Sequence, residues 1–110
     1  MSDPAATAIT LVVALFVNPD RIAEFEQFES RAAEIMRRHG GCIERRIICA
    51  PGDDAGRPSE VHIVVFPDSN SYRRYRQDPE LASLATLRAS AIRQTIVWPG
   101  TDCPPFGSSA

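Results

Sequence analysis

His62 is the residue best placed for chemistry. It lies inside the apolar run Glu60-Val-His-Ile-Val-Val-Phe66, and its ordinary pKa falls near neutrality. An imidazole in such a run can act as a general base toward an acidic C–H or a phenol. Arg46, on the preceding extended stretch, supplies a guanidinium able to stabilise the anion so formed. The competing reading is structural. A single strand histidine is commonly a packed, hydrogen-bonded residue, and Glu44 with Arg46 would then pair across an interface between copies. Tyr72 and Tyr75, three residues apart, suit core packing or a pocket wall with their hydroxyls reaching out.

The remaining polar residues suggest plainer roles. His39 precedes Gly40-Gly41 and reads as a helix C-terminal residue favoured by the dipole. Arg73, Arg74 and Arg76 read as a solvated helix face rather than a phosphate site. Cys42, Cys49 and Cys103 are odd in number and have no Cys-x-x-Cys spacing, so neither a disulfide framework nor a metal site is expected. All twelve basic residues are arginine; without lysine, Schiff-base chemistry and a P-loop lysine are excluded. No cofactor is expected. The net charge of -2 argues against a nucleic-acid partner, which needs a basic surface.

These side chains must be positioned by a small fold. A chain of 110 residues with 44% apolar content makes one domain with a modest core. Residues 1–7 read as a loose arm, 8–99 as the domain and 100–110 as a tail rich in proline and glycine. Ile9 to Val17 alternates two apolar faces and reads as a strand covered on both sides. It is too short to span a bilayer and lacks the flanks of a signal peptide; a cytoplasmic protein without membrane contact is expected. Asn18-Pro19 reads as a helix start, with Ile22, Phe25, Phe28, Ala32, Ile35 and Met36 forming the buried stripe and Glu29 among the polar remainder. Gly40-Gly41 ends that helix.

Cys42 to Ala50 reads as a second strand, residues 51–58 as a long hairpin loop and Glu60 to Phe66 as a third strand. A short helix from about Asn70 to Gln77 follows, capped near Asp68, and Asp78-Pro79-Glu80 restarts a helix. Ile92 to Trp98 reads as the fourth strand. The βαββαβ order predicts a ferredoxin-like α+β sandwich with an antiparallel four-stranded sheet in the order 4-1-3-2. The two most apolar strands, the first and third, take the centre. An RNA-recognition motif shares this order, but the third strand offers only Phe66 for stacking bases, and that reading is rejected.

Helices cover one face of such a sheet. If odd positions of the first three strands face the helices, the other face carries Thr10, Val12, Ala14, Phe16, Glu44, Arg46, Ile48, His62, Val64 and Phe66, with Arg93 and Thr95 as further candidates. That face is too apolar to leave in water, and a second copy, sheet against sheet, would cover it. The expected pocket is therefore Thr10, Val12, Phe16, Glu44, Val64, Phe66, Tyr72 and Tyr75 around His62 and Arg46, taking a small organic ligand.

The stretch Val64-Val65-Phe66-Pro67-Asp68-Ser69, with Tyr72-Arg73-Arg74-Tyr75-Arg76 and Asp78-Pro79-Glu80-Leu81, resembles the dimeric α+β-barrel superfamily. It is most similar to the small bacterial proteins grouped with antibiotic-biosynthesis-monooxygenase-like domains. The resemblance covers roughly residues 8–99 and implies a homodimeric dimeric α+β barrel. Members include cofactor-free monooxygenases, haem-degrading enzymes, isomerases and proteins with no known reaction, so it does not decide whether the chain is an enzyme. No catalytic motif carries over residue by residue. Two functions follow: a cofactor-independent oxygenase or isomerase, and a non-catalytic ligand-binding or regulatory module on the same fold.

Overall fold

The computed structural model describes residues 7–51 and 56–107. The four strands are β1 (Ile9–Val17), β2 (Cys42–Ile48), β3 (Glu60–Phe66) and β4 (Ile92–Gly100). The helices are α1 (Ile22–Arg38), α2 (Ser69–Arg76), α3 (Pro79–Ala82) and α4 (Ala85–Ala91). The sheet order is β2-β3-β1-β4, antiparallel at each pairing. This is the ferredoxin-like α+β fold expected from the sequence, with the two most apolar strands at its centre. Four residues of the long hairpin loop, 52–55, lie outside the described residues, as do 1–6 of the arm and 108–110 of the tail.

Local chemistry places the helix ends. The Asp68 carboxylate accepts from the Ser71 backbone N–H at 2.6 Å and starts α2; Asp78 accepts from Glu80 N–H at 2.8 Å and starts α3, each satisfying a donor the helix cannot. Asn18 does not cap α1. Its backbone N–H donates to Ala91 O at 2.8 Å and its side-chain amide to Ser90 O at 3.0 Å, tying β1 to the end of α4. The helix begins three residues later, and Ile22, expected in the buried stripe, is exposed. The second helical region is two short helices, α3 and α4, rather than one.

The odd positions of β1 face the helices as expected, but the face of β3 differs from the expected parity. Antiparallel partners in register share a face, and Leu11 pairs with Val64, Val13 with His62 and Leu15 with Glu60. Odd positions of β1 therefore lie with even positions of β3. Leu11, Val64 and Phe66 pack with Met36 of α1, while Leu15 and Val17 pack with Phe25, Phe28, Ile35, Leu84 and Ile92. His62, Val64 and Phe66 thus face the helices, and Val61, Ile63 and Val65 face away. Two irregularities complete the change. The register of β2 shifts between Ile43 and Arg45, an extra residue that flips the parity beyond it; β1 and β4 shift at Phe16/Val17.

Gly41 is required by close approach. A Cβ there would sit 2.4 Å from Phe66 and 2.8 Å from Met36, so the wholly buried Phe66 ring fills the space that glycine leaves.

Candidate functional site

A cavity of about 740 Å³ opens between the helix-side face of the sheet and the helices. Its volume lies within the range of small-molecule sites. The walls are mainly apolar, from Leu11, Val13 and Leu15 of β1, Phe28 and Met36 of α1, and Val64 and Phe66 of β3. The Phe66 ring stacks obliquely on Tyr72 and Tyr75, with centroids 5.2 and 5.4 Å away. Polar groups reach the same space from five elements: His62, Glu29, Tyr72, Tyr75, Arg76, Arg88 and Thr95.

His62 is held from behind. Its Nε2 lies 2.9 Å from Glu60 Oε1, and Glu60 accepts from Arg46 Nε at 2.6 Å and from the terminal guanidinium nitrogen at 2.9 Å. The pairing follows from register: Arg46 is the cross-strand partner of His62, and Ile48 of Glu60. Burial would raise the Glu60 pKa, but hydrogen bonds from Arg46 and His62 outweigh it and hold the carboxyl below its ordinary value. A Glu60 that stays ionised is an acceptor only. In the neutral imidazole the hydrogen-bond network therefore assigns the proton to Nε2 and leaves the lone pair on Nδ1.

Nδ1 lies 3.9 Å from Glu29 Oε2, beyond hydrogen-bonding distance. Glu29 sits on α1 one turn from Phe25 and Ala32, both buried. Burial is the main cause raising its pKa. Burial is also the main cause pushing the Tyr75 hydroxyl pKa up, with the Glu29 charge adding to it. Arg88 donates to Thr95 Oγ1 at 3.1 Å, linking α4 to β4 at the cavity edge.

The expected pocket residues separate into two groups. His62, Val64, Phe66, Tyr72 and Tyr75 line the cavity together. Thr10, Val12 and Phe16 lie on the opposite face of the sheet, where Arg93 stacks over Phe16 with 5.0 Å to its ring centroid. Glu44 is exposed at the β2 irregularity, and Arg46 binds Glu60 rather than the cavity. Sequence reasoning missed Glu29, Arg88 and the role of Glu60. A signal for Glu29 was present: positions 25, 29, 32 and 36 form a single helical stripe, and a carboxylate within it is conspicuous.

The fold and cavity define an α+β protein with a cavity between its sheet and its helices. No family model matches the chain, and no curated protein does. Solved structures do. SnoaB, a cofactor-independent oxygenase from Streptomyces nogalater, is 24% identical with a TM-score of 0.68, covering 94% of this chain and 100% of its own. A protein of unknown function from Rhodopseudomonas palustris is 14% identical with a TM-score of 0.73, covering 91% and 85%. A DABB-family protein with a ferredoxin-like fold from Mesorhizobium loti is 14% identical with a TM-score of 0.64, covering 88% and 98%. These likenesses show the ferredoxin-like α+β fold. No described helix is long and apolar enough to cross a membrane.

Proposed function

We infer that the protein is a homodimeric, cofactor-independent oxygenase acting on a small, partly apolar organic molecule with an acidic C–H or phenolic O–H. The observation that carries this reading is His62 at the cavity wall, held by Glu60 and Arg46 with Nδ1 directed away from Glu60. The likeness to a cofactor-independent oxygenase supports the choice of oxygen as oxidant. His62 Nδ1 takes the substrate proton, with Glu60 stabilising the imidazolium. The substrate carbanion passes electrons to O2 and a C–O bond forms. For a CH2 centre, protonation of the peroxide and loss of water leave a carbonyl, so CH2 and O2 become C=O and H2O. Arg46 acts as a positioning residue through Glu60.

The sheet face away from the helices supports the dimer. Val12 and Trp98 are exposed there, beside half-buried Val61, Ile63, Val65 and Ile96. A second copy packed sheet to sheet would cover this patch.

Oxygen uptake against a panel of phenols and quinols, with no cofactor added, tests the activity. Uptake is expected with at least one member of the panel, and it should fall by about a hundredfold in His62→Gln, the scale of a lost general base. Binding without uptake across the panel would favour the non-catalytic module, and unchanged turnover in His62→Gln would remove His62 from the mechanism.

A further inference from the structure

Glu29 has no task in the proton transfer just described, yet its carboxyl stands on the cavity wall opposite the nitrogen that would take the proton. The two groups are 3.9 Å apart, a separation that one ligand oxygen can bridge at about 2.8 Å from each. We propose that Glu29, as a neutral carboxylic acid, and His62 Nδ1 together form a subsite for a phenolic or enolic hydroxyl of the ligand. The ligand O–H donates to Nδ1 and its oxygen accepts from the Glu29 O–H. On ionisation the ligand proton moves to Nδ1, and the Glu29 O–H remains intact and donates to the oxyanion. This deepens the oxygenase reading and rests on its placement of His62 as base, but it concerns binding and does not require oxygen.

Three observations converge on this subsite. Glu29 lies in the apolar stripe of α1, flanked by Phe25 and Ala32, and it lines the cavity. Its surroundings favour the neutral form: burial raises its pKa most, the Glu60 charge pushes the same way, and His62, Arg46 and Arg88 pull back. The charged and titratable groups facing it are thus His62 and Glu60 of β3, Arg46 of β2, Arg88 of α4 and Tyr75 of α2. Finally, Glu60 already occupies the other imidazole nitrogen, so a ligand hydroxyl meets Nδ1 alone. A neutral acid donating to an oxyanion stabilises it without adding a charge to the site.

The test uses 4-nitrophenol, whose absorbance separates phenol from phenolate. Wild type should bind it with the bound dye ionising more readily than the free dye. After correction for the dye's own titration, affinity should fall about tenfold as pH rises through the ionisation of Glu29, the scale of one hydrogen bond to a charged group. Glu29→Gln keeps a donor of nearly the same shape and should bind with that pH dependence abolished. Glu29→Ala should bind about tenfold more weakly throughout. Equal weakening in Glu29→Gln and Glu29→Ala, persistence of the pH dependence in Glu29→Gln, or no dye binding by wild type would overturn the proposal. Glu29-dependent dye binding with no oxygen uptake across the panel of phenols and quinols would sink the oxygenase reading and leave this subsite standing.

Discussion

The two faces of β3 do different work with residues that alternate one by one. Its even positions, Glu60, His62, Val64 and Phe66, are all buried; its odd positions, Val61, Ile63 and Val65, are only half-buried. The even face carries every polar group of the strand, and the odd face is wholly aliphatic. Burying a carboxylate and an imidazole is costly unless they are paired, and Arg46 with the Glu60–His62 hydrogen bond provides that pairing. The odd face needs no such arrangement and asks only for a cover. A strand that places its polar residues inside and its aliphatic ones outside fits the ligand proposed within the chain and the partner proposed outside it.

The largest effect should come from breaking the even face at its packing anchor. Phe66→Ala removes a wholly buried ring in contact with Tyr72 and Tyr75. It should destabilise the chain by about 3–5 kcal/mol, read as a lower urea midpoint. A loss below about 1 kcal/mol would mean that the ring is not the anchor its burial implies.

Breaking the odd face should leave the cavity and abolish the proposed dimer. Ile63→Asp places a carboxylate in the centre of the aliphatic patch while its neighbours His62 and Val64 keep their side. Sedimentation at micromolar concentration is expected to show two chains for wild type and one for the variant, with far-ultraviolet circular dichroism unchanged. Wild type sedimenting as a stable monomer would end the sheet-to-sheet model.

How much of this was legible in the sequence depends on what kind of information each feature needed. Element order and the central strands followed from local patterns: the apolar alternation of Ile9–Val17 and the Asp68 and Asp78 caps speak for themselves. Which face of β3 meets the helices did not follow, because parity is set by pairing, and pairing depends on register with β1. The register shift between Ile43 and Arg45 keeps Arg46 on the face of His62, as their shared parity predicts, but on the helix side of the sheet, and no glycine or proline announces it. The charge of Glu29 suggests a solvated position, although its spacing from Phe25 and Met36 places it in the buried stripe. Sequence parity consequently places the cavity on the sheet face away from the helices, whereas it lies between sheet and helices within one chain.

The finest distinction lies within the site, between two carboxyls shifted in opposite directions. Glu60 is held below its ordinary value of 4.5, with hydrogen bonds from Arg46 and His62 outweighing burial. A lowered folded-state pKa contributes stability that is present above the unfolded value and lost as pH falls through the folded one. Glu29 is raised above 4.5, chiefly by burial, so stability should decline as pH rises from that value through its folded pKa. Urea midpoints followed with pH separate the two. Glu29→Gln should flatten the decline on the neutral side of 4.5 and leave the acid side unchanged. Arg46→Met, which takes away the hydrogen bonds that hold Glu60 low, should lessen the acid-side loss by removing what protonation would have broken, at the cost of a lower plateau above it. If Glu29→Gln altered only the acid side, the two carboxyls would have exchanged roles, with the charged member on α1 rather than on β3.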